Sequence, residues 1–473
     1  MEITATDGYK FSMAQAGFPI REEIFYFSFR KGGPQYIPFD LEDHIQFPII
    51  EDYSLLKYLS SVGYELTQPM IEAIRSKVKI TSAPKGTWVC EREPILTVKG
   101  PSFLVSWLEP TIIQLQYPIQ LASSIMKEEV IWVTCEEQKK IVENICSSLR
   151  VNKEIKINSK YKDTIQNKVK DLIGIVKDPS RIFEVGMRSA SCMQEHQICL
   201  EILRENGVKS TSNVSLAKKL DMKPIGTMGH EHVQRWGDDL NSFRAMRDMK
   251  LGTPSYLLDT YDTYSSGIPS ALQVAKEKSH RFSIRYDSGD KYSQYMMAHG
   301  LFSRNNLEPI HIIEDGLNLN QTVKFEKLRE ITQISKNNQV YGYGNYFVAL
   351  SNELNPYTRD NVSAVYKLCS SSKEPKMKFG NDEGLGKQSI PGDPVIWRRL
   401  RGNGPSGIIG QKDERVEDNY VLLSGNPESI RYIQVANINK GVLSQRYKYT
   451  LSNETKEIVN KLRKENINAS NKL

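Results

Sequence analysis

The sequence predicts an α/β protein: an irregular TIM-like βα barrel of about seven strands, plus an α+β domain built from the N-terminal region and C-terminal segments. Two observations carry the barrel. From Arg181 onward, short β-branched runs alternate with helical ones. Arg188, Ser212, His230, Asp262, Asp287, Asp315 and Gly342 each stand at or just beyond the C-terminal end of a predicted strand. In a closed βα barrel those ends converge on one mouth, where ligands bind. A third observation is bulk: with 473 residues, 39% hydrophobic and 25% charged, the chain is globular and long enough for about two or three domains.

Taken in order, residues 1–135 mix strand-like segments (EEIFYFSFR, TWVCEREPILTV) with helical ones (SFLVSWLEPTIIQLQYPIQLASSI) and read as an N-terminal α+β domain, completed by parts of 350–473. Residues 136–180 are a charged, helix-compatible connection. Residues 181–350 hold the barrel strands RIFEVGM, VKST, KPIGTM, SYLLDTY, RFSIRYD, IHIIED and QVYGYG, with helices between them. Residues 351–473 read as a basic, loop-rich region in which Gly, Pro and Ser alternate with Lys and Arg.

Several function classes fall away. No apolar run approaches the ~18 residues of a bilayer span, and MEITATDGYKFSM has no basic stretch followed by an apolar one, so the expected location is cytoplasmic. The six cysteines, Cys90, Cys135, Cys146, Cys192, Cys199 and Cys369, form no CxxC pair, which argues against structural zinc and a disulfide framework. Cys192, Cys199 and Leu203 fall on one helix face and read as buried. The net charge of +7 is modest; the Lys153 to Lys170 run, without interleaved aromatics, reads as a solvated face and not a nucleic-acid surface. Small anionic ligands suit the excess charge better.

Three short stretches carry chemistry. GTMGHEHVQ places His230 and His232 around Glu231 where a strand-like run gives way to a helical one. It is not HExxH and has no third ligand at a metal spacing, so a nucleophilic or acid/base histidine at the mouth competes with a structural one. RYDSGD, Arg285 to Asp290, sets a cation and two carboxylates around a small turn. An Asp there would hold ribose hydroxyls, or Mg²⁺ through water, or would simply cap a helix. GYGN, Gly342 to Asn345, would wrap a phosphate with backbone N–H groups or serve a tight turn.

TDGYK, FSFRK, EPTIIQLQYPI, FEVGMR, STSNV, GTMGHE, RYDSGD, EDGLN and YGYGN together resemble, in order, the motifs of the nicotinate phosphoribosyltransferases, relatives of the nicotinamide phosphoribosyltransferases. The resemblance implies transfer of phosphoribosyl from 5-phosphoribosyl 1-pyrophosphate to nicotinate. ATP is the co-substrate through a phosphohistidine, and Mg²⁺ is carried with the pyrophosphate. On this resemblance His230 is the phosphoryl acceptor, with His232 as the competing assignment and Glu231 as a residue that would hold the ring tautomer. Tyr9, Arg188, Ser212 and Arg285 match base-binding positions. Arg285 and Asp287 match, with His230, the catalytic positions, Asp315, Gly342 and Gly344 match positions around the ribose and 5′-phosphate, and Arg30, Arg359, Lys367, Lys378 and Lys387 match cations around pyrophosphate. Asp7 and Tyr9 match a segment contributed by a neighbouring subunit, which implies a homodimer with shared sites. Val185 departs from nicotinamide-type relatives, which have an aromatic residue there.

The nearest competing function keeps the reaction and changes the base to nicotinamide. Ser212 stands where nicotinamide enzymes carry an aspartate; its hydroxyl and the N–H groups around Asn213 would donate to the carboxylate of nicotinate, whereas an aspartate would repel it. A ligand sensor without catalysis is the alternative of another class, since fold does not fix function.

Overall fold

The structure, a computed structural model, describes all residues except 51, 126, 250–251, 350–356, 380–387, 400–405, 418, 424–448 and 471–473. Its centre is a seven-stranded parallel sheet made of the seven predicted runs. The spatial order is Lys223–Pro224, Ser210–Thr211, Ile182–Glu184, Gln339–Tyr343, Ile310–Ile313, Ser283–Tyr286 and Ser255–Leu257. Most of these strands are buried along their length, as parallel strands covered on both faces must be. They are rich in Ile and Tyr, whose branched or flat side chains pack on a pleated surface.

Among the described residues no ladder joins the outer strands Lys223–Pro224 and Ser255–Leu257. The expected closed barrel is therefore an open, half-barrel sheet. The strands at the Lys223 side are only two residues long, too short to bend round and pair.

A second sheet is antiparallel, in the order Glu374–Pro375, Ala364–Ser371, Glu22–Phe29, Leu96–Pro101 and Lys79–Ser82. It thus inserts a strand from beyond the barrel beside one from the start of the chain. The helices Ser102–Trp107, buried throughout, and Glu109–Gln114, buried up to Ile113, lead from it towards the barrel mouth.

The charged connection is not helical throughout: after the helix Glu136–Leu149 comes the strand Glu154–Ile157. Val130–Val133 and Glu154–Ile157 pair as parallel strands. Lys160–Val176 is a helix whose Tyr161, Ile165, Val169, Leu172 and Val176 enter the barrel core at helical spacing, leaving Lys160, Lys162 and Lys170 outward. The region expected to be loop-rich contains a four-stranded sheet, Tyr420–Leu422, Pro394–Arg399, Gly407–Gln411 and Tyr449–Leu451, and the helix Asn453–Ser470. Its strands are only three to six residues long, which hides their alternation. All six cysteines are buried and unbridged. Among the described residues no helix is long and apolar enough to cross a membrane.

Candidate active site

Gly229 ends the run after the third predicted strand, and His230 opens the helix His230–Trp236. The imidazole is 11% exposed. Its Nδ1 lies 3.0 Å from Thr260 Oγ1, its Nε2 2.6 Å from Lys378 Nζ and 3.4 Å from Asp287 Oδ2. An ammonium only donates, so Nε2 carries the lone pair and Nδ1 the proton, directed at Thr260. Burial, and next the Lys378 charge, lower the His230 pKa, which keeps the ring neutral.

Glu231 does not hold this ring. It points the other way, accepting from Lys10 Nζ at 2.8 Å and Ser106 Oγ at 2.6 Å, because neighbours in a helix diverge by about 100°. His232 is fully buried against the next helix, with Nε2 3.1 Å from the Ser242 carbonyl.

RYDSGD splits its work. Asp290 caps the helix Lys291–Arg304 by accepting from Tyr292 and Ser293 N–H groups. Asp287 faces the cleft. Burial would raise the Asp287 pKa, but the Arg285 charge at 2.9 Å, helped by that of Lys378, outweighs it and holds the carboxyl ionised, well below its usual range. Arg285 is fixed by Thr227 Oγ1 at 2.7 Å and the Met228 carbonyl at 2.8 Å, and Glu314 lies 3.4 Å from its Nε.

At the other side of the mouth, Asp7 bridges to Asn213, and Gly8 N donates to the Ser212 carbonyl at 2.8 Å. Tyr9 donates to Glu109 Oε2 at 2.6 Å, and the Arg188 guanidinium lies 5.7 Å from the Tyr9 ring centre. These contacts join the segment to the barrel within the one chain described.

The Ser212 hydroxyl donates to Asp7 Oδ1 at 2.5 Å. The nearby N–H groups are engaged as well: Ser212 N with the Glu184 carbonyl at 2.8 Å, Val214 N with that of Thr6 at 3.1 Å, and Asn213 N with Thr211 Oγ1 at 3.2 Å. The donors expected for a bound carboxylate are thus already spent. Burial raises the Asp7 pKa.

Arg30, Arg359, Lys367 and Lys378 converge from the antiparallel sheet and the loops that follow the barrel. Burial, then the Lys378 and Arg30 charges, push the Lys367 ammonium down to about 7. Arg359 is lowered first by burial and then by Arg188, and Arg30 by burial with Arg92 and Arg359 adding to it. Cations gathered so that each disfavours the next describe an anion site. Lys387 lies outside the described residues.

Three other expected residues take different roles. Asp262 accepts from Tyr264 and Ser265 N–H groups, a helix cap. Gly342 is a packing glycine, since a Cβ there would meet Glu314 Cγ at 2.5 Å and Phe183 at 2.7 Å. Asp315 is exposed at a left-handed position (φ 58°), and its neighbour Glu314 is the carboxylate turned towards Arg285. Gly344 lies beside the Val185 carbonyl, 3.2 Å from where its Cβ would stand.

The sequence reading passed over Asp259 and Thr260. Asp259 follows the strand Ser255–Leu257 by two residues, closer than Asp262, and that spacing was the available signal. Carboxylate oxygens of Asp259 and Asp287 and a nitrogen of His230 all lie within 4.8 Å of one another.

Residues 180–401 match the sequence model of the nicotinate phosphoribosyltransferase (NAPRTase) family. The nicotinate phosphoribosyltransferase of Bacillus subtilis is 26% identical over 276 residues, 56% of this chain and 50% of that protein. Over that stretch the chain is similar to the nicotinate phosphoribosyltransferases. It spans about half the length of that curated relative. A nicotinate phosphoribosyltransferase structure from Porphyromonas gingivalis superposes with a TM-score of 0.56 at 18% identity, covering 82% of this chain and 95% of that one. One from Vibrio cholerae superposes with 0.57 at 16% identity, covering 80% and 88%. Both share its fold. The stretch matched by the nicotinate phosphoribosyltransferase family holds His230, Asp287, Arg285, Lys367 and Lys378, whereas Asp7, Tyr9, Arg30 and Glu109 precede it.

Proposed function

We propose that the chain transfers the phosphoribosyl group of 5-phosphoribosyl 1-pyrophosphate to nicotinate, a step in the salvage of pyridine bases for NAD. The pyridine nitrogen donates its lone pair to C1, the C1–O bond breaks, and pyrophosphate leaves with both electrons. The observation that carries this reading is the juxtaposition of a neutral His230 with the Arg30, Arg359, Lys367 and Lys378 cluster. Cations held in advance where the leaving group's charge develops favour the transition state over the ground state.

The Nε2 lone pair, which faces the Lys378 ammonium and is not protonated, suits His230 as phosphoryl acceptor once Lys378 turns to the phosphate. It would attack the γ-phosphorus of ATP, form the N–P bond and release ADP, and water would later take the phosphoryl group to orthophosphate. Lys378, within 2.6 Å of that nitrogen, would screen the incoming phosphate. Asp259 and Asp287 fit a magnesium ion: Asp259 Oδ1 is buried and has no hydrogen-bond partner among the described residues, and hard cations take carboxylate oxygens together with substrate phosphates. When bound, Mg²⁺ would neutralise charge on the diphosphate.

Asp7 gives a second reading specific support. Its carboxylate, buried beside Ser212, stands as an acceptor for an amide N–H₂, which favours nicotinamide, while Arg188 favours a carboxylate. Incubation of the protein with the donor and either base, with the product identified by mass, tests both. Nicotinate mononucleotide is expected; nicotinamide mononucleotide alone would transfer the assignment to the amide, and neither product would end the reading.

A further inference from the structure

We propose that Glu109 is the positioning residue for the base-binding side chains, and that Lys10 extends its hold to the helix beginning at His230. The proposal rests on the phosphoribosyltransferase reading above and goes beyond it, because neither residue touches the expected position of a reacting atom.

Both oxygens of Glu109 are in use. Oε2 accepts from the Tyr9 hydroxyl at 2.6 Å and from Lys10 Nζ at 2.5 Å, and Oε1 from Arg188 Nη1 at 3.1 Å. Tyr9 and Arg188 are the two groups that flank the base position, and one carboxylate sets the direction of both. Lys10 then reaches Glu231 Oε1 at 2.8 Å, and Ser106 Oγ donates to the same oxygen at 2.6 Å. Glu231 is the residue after His230. Side chains from four distant segments, Tyr9–Lys10, Ser106–Glu109, Arg188 and Glu231, are thereby joined in a continuous buried path from the base pocket to the phosphoryl acceptor. Lys10 and Glu109 are 1% and 6% exposed.

A purely structural role is the competing account, and the energetics weigh against it. Buried ion pairs add little net stability over apolar packing of the same volume, whereas their directional bonds fix donor geometry, and an error of about 1 Å in a reacting group costs roughly 100-fold in rate. The network's charges alternate along the path, so Arg188, Glu109 and Lys10 are each held by opposite charges on two sides.

The test uses full-length wild type, Glu109→Gln and Lys10→Met. For Glu109→Gln the KM for nicotinate is expected to rise at least ~10-fold while the KM for the phosphoribosyl donor stays within about twofold, since Tyr9 and Arg188, together with Lys10, lose their common anchor. Lys10→Met is expected to raise the nicotinate KM and also to slow ATP-dependent labelling of His230. Equal changes in both KM values, or an unchanged nicotinate KM in Glu109→Gln, would overturn the proposal and leave Glu109 a folding residue.

Should wild type form no nicotinate mononucleotide, the phosphoribosyltransferase reading fails separately, and hydrogen exchange still decides the coupling. In Lys10→Met, peptides covering Thr6–Phe11 and Gly229–Val233 are expected to lose protection together while Lys291–Arg304 keeps its own. Loss in only one of the two peptides, or loss everywhere, would refute the strut.

Discussion

His230 and His232 are two residues apart and chemically opposite. His230 is a neutral ring at the rim with its lone pair facing a cation; His232 is pressed into the core, where burial lowers its pKa to about 3. Protein incubated with γ-labelled ATP is therefore expected to hold acid-labile, base-stable label, absent in His230→Ala and present in His232→Ala. The second variant should instead lower the melting temperature, because the bond to the Ser242 carbonyl and the packing around the ring are lost, at a cost of about 1–3 kcal/mol. Label that vanishes in His232→Ala alone would reverse the assignment.

Lys367 gives a pH dependence with a definite sign. Its pKa near 7 in the free protein means that part of the population is uncharged at neutral pH. A bound pyrophosphate favours the ammonium and raises that pKa, so donor binding takes up a proton. Affinity should weaken as pH climbs through about 7, by up to roughly tenfold per pH unit, until the bound-state pKa is reached. Titration calorimetry in buffers of different ionisation enthalpy measures the uptake; no proton uptake near pH 7.5 would place the donor elsewhere.

At the scale of elements, the strand ends were readable because strand, turn and helix signals are local. All seven parallel runs lie where β-branched and aromatic residues alternate with helical stretches, and the polar residue after each run pointed to the mouth. What escaped was whatever depends on a partner far away in sequence. Asp259 and Asp262 look alike in LLDTYD, yet only the tertiary structure shows that Asp262 spends its oxygens on a helix cap. Ser212 looked free until Asp7 arrived to take its hydroxyl. The open edge of the barrel was illegible for the same reason, since pairing of the outer strands is decided by their length and not by any one residue. Gly342 was read as a phosphate cradle, but its sequence says only that a side chain is unwelcome. Gly342→Ala is expected to push Glu314 and Phe183 apart and cost about 1–3 kcal/mol. A thermal melt checks it, and an unchanged melting temperature would show that the strand relaxes without strain.

For the whole molecule, the docking of Asp7 and Tyr9 on their own barrel makes a prediction about mixing. Tyr9→Ala and His230→Ala, each inactive or nearly so, should regain nothing when unfolded and refolded together. A dimer that exchanged these segments between subunits would instead restore about a quarter of the wild-type rate, because half of the dimers would be mixed and each would hold one intact site. Recovery at that level would establish the shared-site arrangement.

The antiparallel sheet has a consequence for synthesis on the ribosome. Glu22–Phe29 pairs on one side with Leu96–Pro101, which emerges soon after it, and on the other with Ala364–Ser371. The thiol of Cys369 reaches the Ile24 carbonyl across 345 residues. At typical elongation rates that span takes roughly 20–70 s to translate. Throughout it the nascent chain carries one bare edge of the segment IFYFSF, flat, aromatic and uncharged, the kind of edge to which other unfinished chains add. The molecule's first sheet is completed only after its barrel exists, so chaperone supply during translation, more than the stability of the finished fold, should govern how much of it is obtained.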